Sequence, residues 1–339
     1  MAQKITYWLL LTLVLSLGFG RLLYIHDILV LLLLILNYKG RSFVIPLGLK
    51  VFFVGLGLGW LRALTLYPIS SLLIPSLYAL RLLAYLVLFL QLKSSKVRLP
   101  PYPFLISGLT TLFIGLIQYF WLPDMRIFQY LGWDDHLNRL TLPHFDPTFT
   151  AVMLGLAFLS TSRHLPSTIY YLPAILFTYS RSVWLSLALT ATVFIKNKII
   201  LLFAVSCLLL AIVLLPQKFG EGTNLLRIYS ISSRVKSDLA YVQKYQWDLL
   251  IGRGMNTFIL DKGTTHASGP NNSYLYLLAT TGIFGLVGWG ISMFSLYQRS
   301  AYKTMLVFFF LASLFNNVMF YPFSILWILL IESTVPTAT

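Results

Sequence analysis

The chain has 339 residues, of which 58% are hydrophobic and 10% are charged, whereas a soluble domain has about 25% charged residues. Its mean hydropathy is +0.80, so the composition excludes a soluble protein and predicts an all-α, polytopic membrane protein. The 25 basic residues exceed the 10 acidic ones, for a net charge of +15. In a membrane protein this excess is typical of short cytoplasmic loops, and it does not indicate a nucleic-acid partner. The single cysteine, Cys207, excludes an intrachain disulfide.

Long apolar runs recur along the chain, and a membrane span needs about 20 predominantly apolar residues. We predict about 11 spans, within a range of about 10 to 12. They lie near 5–20, 23–37, 43–61, 68–92, 102–122, 148–160, 167–179, 182–195, 199–215, 273–297 and 303–331. The last run contains Pro322, so it forms either one span or two short helices. We expect a single membrane domain, 1–339.

The basic residues predict how the chain is oriented. If the N-terminus is cytoplasmic, the Lys and Arg residues of consecutive hairpins fall on the cytoplasmic side, as the positive-inside rule requires. They are Lys39, Arg41, Lys93, Lys96, Arg98, Arg163, Lys196, Lys198, Arg299 and Lys303. This topology places two loops, 123–147 and 216–272, on the outer side.

The segment 216–272 is the one extended polar stretch, and its aromatic and aliphatic content predicts an ordered, partly helical loop. Ser232 or Ser233 is expected to cap a helix that runs to about Tyr245, because a Ser hydroxyl accepts an unpaired amide of the first turn. Arg234 lies on this predicted helix.

Arg181 follows Ser180 inside a run of membrane-grade sequence. A guanidinium group there costs about 2.5–3.5 kcal/mol on insertion scales, so such an arginine usually serves an ion path, a buried partner or an anionic substrate. The predicted topology brings Arg181, Arg234, Arg253 and His266 to the same outer face. Arginine suits phosphate, because its planar fork offers paired donors and stays charged. An interfacial charge or a structural ion pair is the alternative interpretation.

Three histidines lie in the outer loops. His266 precedes a span and is a candidate general base, since imidazole takes up a proton near neutral pH. His136 and His144 share the loop 123–147 with Asp134 and Asp146, where a metal is conceivable. No HxxxH or HExxH spacing is present, so we predict no metal site there.

Three segments, in order, resemble the O-antigen ligase/polymerase superfamily, the bacterial membrane proteins with a Wzy-type C-terminal domain. Thr-Tyr-Ser-Arg-Ser at 178–182 resembles its T-x-S-R element. The stretch 234–258, which ends in Gly-Arg-Gly-Met-Asn-Thr-Phe, is similar to its arginine-led outer helix and glycine turn. Asn-Asn-Ser-Tyr-Leu at 271–275, followed by Thr-Gly-Ile-Phe-Gly-Leu at 281–286, resembles its H-N-x-Y-L…G-x-x-G-L segment.

The resemblance implies a metal-independent, GT-C-like glycosyltransferase of the bacterial inner membrane, with a cytoplasmic N-terminus, no cofactor and a periplasmic active site. The donor would be a glycan on undecaprenyl pyrophosphate, the acceptor a glycan or lipid-linked glycan, and a chain-length regulator a further partner.

The resemblance also implies roles for individual residues. Arg181 and Arg234 would bind the pyrophosphate, assisted by Arg253 and Ser180. The acceptor side would hold His266, Asn271, Asn272 and Tyr274.

The family's histidine in the third segment is Asn271 here. Asparagine is no general base, so either His266 replaces that histidine or the enzyme works without one. This departure favours a repeat-unit polymerase over a ligase that transfers glycan to a lipid A core or another carrier. Two other classes stay open: a flippase for lipid-linked oligosaccharides, with Arg62 and Arg81 along its path, and a membrane scaffold.

Overall fold

The computed structural model describes residues 2–15, 25–37, 44–94, 99–131, 133–161, 170–199, 202, 206, 210–211, 213–217, 219–261 and 269–334. His266 and Cys207 lie outside these residues. So does most of the predicted span 199–215.

The described residues form helices and no strands, which confirms the all-α prediction. The α-helices are α1 (Ala2–Leu15), α2 (Ile25–Asn37), α3 (Leu47–Leu66), α4 (Leu73–Ser94), α5 (Tyr102–Trp121), α6 (Pro147–Thr161), α7 (Tyr171–Phe177), α8 (Arg181–Phe194), α9 (Tyr229–Lys244), α10 (Asp248–Ile251), α11 (Ser273–Arg299), α12 (Lys303–Phe315) and α13 (Pro322–Thr334). A 3-10 helix, Ile69–Leu72, leads into α4.

Among the described residues, four helical segments are long and apolar enough to cross a membrane: Leu47–Leu66, Ile69–Ser94, Tyr102–Trp121 and Ser273–Arg299. Six shorter apolar helices accompany them in the same part of the chain. The run 303–331 is two helices, because α13 begins at Pro322 and proline tolerates the start of a helix better than its interior. The count of about 11 spans and the GT-C class stay predictions.

Close contact between α3 and α11 brings the middle of the fold together. The helices run antiparallel, and small residues face each other along them. A Cβ at Gly55 would overlap the backbone of Gly285, and one at Gly288 would overlap that of Phe52. Small residues along such a contact let two apolar helices approach until their backbones touch. This close approach maximises dispersion contacts, which drive helix association in lipid because the lipid tails are as apolar as the helix surfaces.

α11 is kinked at Gly282, whose φ of 67° and ψ of −171° are not helical. Two carbonyl groups beside the kink accept hydrogen bonds from the turn at 252–254. The amide of Arg253 donates to the Ala279 carbonyl at 3.0 Å, and the amide of Gly254 donates to the Thr280 carbonyl at 2.9 Å. Gly254 has a φ of +91°, which a residue with a Cβ rarely adopts. The turn predicted at these glycines is therefore docked on the kink.

The helix predicted in the segment 216–272 begins earlier than expected. α9 starts at Tyr229 with Ile228 at the N-cap position, so neither Ser232 nor Ser233 caps it. The Ser232 hydroxyl instead donates to the Tyr229 carbonyl at 3.0 Å. The capping prediction is wrong because both serines lie inside the helix. A hydroxyl in that position bonds to a carbonyl of the preceding turn.

Replacing Gly282 with alanine is expected to destabilise the protein strongly. The φ of 67° and ψ of −171° at Gly282 lie in a region almost exclusive to glycine, which costs a residue with a Cβ about 1–3 kcal/mol, and the new Cβ would overlap the Leu250 carbonyl oxygen. Gly290→Ala is the matched control, because it lies on the same helix with nothing within 4 Å of its Cβ position. The measurement is thermal unfolding in detergent. Equal midpoints for the two variants would contradict the role of the kink.

Candidate functional site

A cavity of about 380 Å³ opens between the loop 123–147, α4, α9 and the start of α13. Its polar lining residues are Arg81, Asp134, Asp146, Thr148, Arg234, Asn256, Asn271, Asn316 and Asn317. Its aromatic lining residues are Tyr78, Tyr85, Phe149, Tyr276 and Phe320. Charged groups, amides and rings in one concave site can orient a polar ligand and cover its apolar faces.

Arg234 is exposed and lines this cavity. Its Nη1 donates to Asn316 Oδ1 at 2.7 Å and to the Phe315 carbonyl at 3.2 Å. Asn316 in turn donates through Nδ2 to Ser182 Oγ at 2.9 Å. These bonds fix the guanidinium group of Arg234 and connect α9 with the first turn of α8.

Arg181 is the first residue of α8. Its Nη1 donates to the carbonyls of Leu225 at 2.9 Å and Arg227 at 2.5 Å, so it holds the segment that precedes α9. Arg181 does not line the cavity itself. Ser180 is buried beside it, with its hydroxyl 3.4 Å from Thr148 Oγ1, at the edge of the cavity.

Arg139 was not singled out from the sequence, yet it lies among the other arginines. It is buried, and its Nε donates to the Thr178 carbonyl at 3.0 Å. Burial, together with the charges of Arg227, Arg234 and Arg181, lowers the pKa of Arg139 to about 9, while Asp146 opposes the shift. The side chain stays charged at neutral pH. The positive charges of Arg139 and the three other guanidinium groups repel one another, and a bound polyanion would relieve this repulsion.

Four arginines, Arg139, Arg181, Arg227 and Arg234, therefore form what we call the arginine cluster. The Nη1 atoms of Arg139 and Arg227 lie 3.6 and 3.8 Å from the Cβ position of Gly222, so the two side chains flank this glycine. The cluster draws on three separate stretches of chain. Arg181 and Arg234, the two arginines predicted to bind a diphosphate, both belong to the cluster.

Arg253 lies apart from the cluster. Its guanidinium group donates to Asp248 at 3.1 Å, to Asp261 at 3.0 Å and to the Tyr67 hydroxyl. Arg253 is buried and does not line the cavity. Asp248 also accepts from Arg62 at 2.8 Å. This placement supports a structural role and gives no support to the prediction that Arg253 assists at a diphosphate.

The residues predicted at the acceptor side separate in the structure. Asn271 lines the cavity, and its amide donates to Asp238 Oδ1 at 3.1 Å. Asn272 Oδ1 caps α11, accepting from the amides of Tyr274 at 2.8 Å and Leu275 at 3.2 Å. Tyr274 lines a different, apolar cavity and donates to the Phe310 carbonyl at 3.1 Å.

The histidines of the loop 123–147 also separate. Burial lowers the pKa of His144 to about 3, and its Nδ1 lies 2.9 Å from the Tyr321 hydroxyl. His136 instead groups with Asp134 and Asp146, and one ligand atom from each lies within 4.8 Å of the others. Burial lowers the pKa of His136 as well. The sequence had predicted no metal site, because none of its spacings matched a local motif.

Two features of the site were missed. Asn316 and Asn317 interrupt an apolar run, which was a visible signal for a polar role. Arg139 gave no comparable signal in the sequence, because it lies in a loop that contains both acidic and basic residues. Arg81, noted only as a step on a transport path, pairs with Asp27 at 2.8 Å in the cavity wall.

No family model, curated protein or solved structure matches the chain. The resemblance of the three segments therefore stays a prediction, and the cavity and the arginine cluster are the features of the structure that bear on function.

Inorganic pyrophosphate is expected to raise the thermal unfolding midpoint of the wild-type protein. A ligand at 100 times its dissociation constant stabilises the native state by about 2.7 kcal/mol. Arg139→Gln and Arg234→Gln should each reduce this effect, because each removes one charge from the cluster. Arg126→Gln should retain it, since Arg126 is exposed and paired with Asp124 at 2.6 Å. The same shift in all four proteins would exclude an anion site at the cluster.

Proposed function

We propose that this chain is a membrane glycosyltransferase that polymerises glycan repeat units carried on undecaprenyl pyrophosphate, at the outer face of a bacterial inner membrane. One observation carries the proposal. Four guanidinium groups from three stretches of the chain lie near one polar cavity, which Arg234 lines, and the charges of the other three act on buried Arg139. A diphosphate has the charge and the acceptor oxygens that such a cluster favours.

The reaction needs stabilisation of a leaving group. When the bond between the anomeric carbon and the diphosphate oxygen breaks, both electrons stay on that oxygen. Fixed positive donors aimed at the developing charge lower the barrier, because they need no reorganisation during the reaction. Arg234 is held at the cavity by Asn316 and the Phe315 carbonyl. In the proposal, Arg234 contacts the diphosphate in the cavity, and Arg181 and Arg139 contribute their charges from behind.

The acceptor glycan would occupy the amide-rich part of the cavity. Asn256, Asn271 and Asn317 line it beside Tyr276 and Phe320. Amides bind sugar hydroxyls with paired donors and acceptors, and rings cover the apolar faces of sugars. Asn317 Oδ1 is buried and has no hydrogen-bond partner among the residues that the structure describes, so it can accept from a hydroxyl.

The acceptor hydroxyl must also lose its proton as it attacks the anomeric carbon. Asn271 can orient that hydroxyl but cannot take up its proton, because an amide is not basic at neutral pH. His266 stays our sequence-based hypothesis for this step.

The ligase alternative uses the same donor chemistry and differs only in the acceptor. The lipid-linked glycans that accumulate in a deletion strain separate the two, since single repeat units indicate a lost polymerase and long chains a lost ligase. The flippase alternative drew on Arg62 and Arg81. Both are held in ion pairs, Arg62 with Asp248 and Arg81 with Asp27, so the proposal gives them no transport role.

Arg234→Ala is expected to slow extension of a lipid-linked glycan by about 100-fold or more, the loss typical of removing one donor from a developing anion. Arg181→Ala is expected to slow it less, because Arg181 contributes its charge from outside the cavity. The assay uses purified protein, donor and acceptor, with no energy source. Arg126→Ala is the control.

Wild-type rates in both variants would exclude the diphosphate role. Normal glycan chemistry after joint replacement of Arg181, Arg234 and His266 would favour the scaffold. A protein that moves lipid-linked glycans but never joins them would favour the flippase.

A further inference from the structure

We propose that Asp134, His136 and Asp146 bind one divalent cation at the mouth of the cavity. The ligand set comprises two carboxylates and one imidazole, with one atom from each within 4.8 Å of the others. Metal–ligand bonds of about 2.1–2.5 Å separate opposed ligands by about 4.2–5 Å. The three atoms can therefore reach one ion with little movement.

The loop that carries these ligands is held in place from both sides. Trp133 and Phe145, each next to one aspartate, stack with ring centroids 4.6 Å apart and an interplanar angle of 16°. The carbonyl of His136 accepts from the Met125 amide at 2.8 Å. The backbone near each ligand is thus fixed by contacts that do not use the ligand atoms.

Asp146 is oriented by the helix that follows it. Its Oδ1 accepts from the amides of Thr148 at 2.6 Å and Phe149 at 2.9 Å, at the start of α6. These bonds orient the carboxylate that also lines the cavity. A group held in this way loses little further freedom when it binds an ion.

His136 supplies an independent observation. Its Nε2 is shielded from solvent and has no hydrogen-bond partner among the described residues. A buried ring nitrogen is normally paired, because leaving it unpaired costs its lost hydration. A cation bound between His136 and the two carboxylates would give the unpaired imidazole a partner.

The donor set narrows the choice of ion and indicates its use. Imidazole favours transition metals and carboxylates favour harder ions, so a mixed set suits Mn²⁺ or Zn²⁺ better than Mg²⁺. Three protein ligands leave coordination positions open, as in sites where a metal contacts a ligand or water. Asp134 and Asp146 line the cavity together with Arg234. The open positions would therefore accept an anionic oxygen of whatever occupies the cavity.

The inference does not depend on the proposed function, and its test uses no glycan. Full-length protein in detergent is stripped of metal and titrated with Mn²⁺, with free Mn²⁺ measured by electron paramagnetic resonance. We expect one site per chain and, in pulsed spectra, coupling of the bound ion to a ¹⁴N nucleus. His136→Ala should abolish that coupling. Asp134→Asn and Asp146→Asn should each weaken binding by about tenfold or more.

Asp146→Asn keeps an oxygen that can cap α6, so its fold should survive, and its thermal unfolding checks this. Asp124→Asn is the matched control, because Asp124 is exposed in the same loop and paired with Arg126. No bound Mn²⁺, binding unaltered by the three substitutions, or bound Mn²⁺ without nitrogen coupling would each overturn the site. If the wild-type protein binds Mn²⁺ as expected but transfers no glycan, that result would count against the proposed function alone.

Discussion

The contact between the 252–254 turn and the kink of α11 determines where that turn and the residues next to it lie. Gly282 interrupts the helix, and the amides of the turn donate to the Ala279 and Thr280 carbonyls beside the kink. An unpaired carbonyl inside an apolar bundle is costly, so the kink and the turn stabilise each other. Because the turn precedes Asn256 and Asn271 follows it on the way to α11, this docking brings both amides to the cavity.

Charge is distributed unevenly around that cavity. The arginine cluster lies beside it, where burial and the charges of Arg227, Arg234 and Arg181 disfavour the charged form of Arg139 unless an anion joins them. The Asp134, His136 and Asp146 group occupies the mouth. A ligand that carries both an anionic part and many hydroxyl groups fits this arrangement better than an apolar ligand or a simple ion, because each wall of the cavity presents a different chemistry.

Other arginines serve the fold. Asp248 pairs with both Arg62 and Arg253, and Asp261 pairs with Arg253. These pairs connect α3 to the residues around the 252–254 turn, where an unpaired buried charge would be strongly destabilising. An arginine of the segment 216–272 can therefore be structural or functional, and its hydrogen-bond partners decide which. The sequence predicts Arg253 and Arg234 on the same side of the membrane, but Arg253 donates to two carboxylates, whereas Arg234 donates to an amide oxygen and a backbone carbonyl at the cavity.

The sequence by itself determined the all-helical class, most helix positions and the glycine turn, because these follow from hydropathy and from the backbone preferences of glycine. It left open whether 303–331 is one span or two helices, which the structure decided. It also brought Arg181 and Arg234 to one candidate site. Only the tertiary structure decided that Arg139 joins them, that Arg253 and Asn272 are held by other partners, and that His136 meets Asp134 and Asp146. Side chains from distant stretches meet through packing and long-range pairing, and neither leaves a local pattern in the sequence.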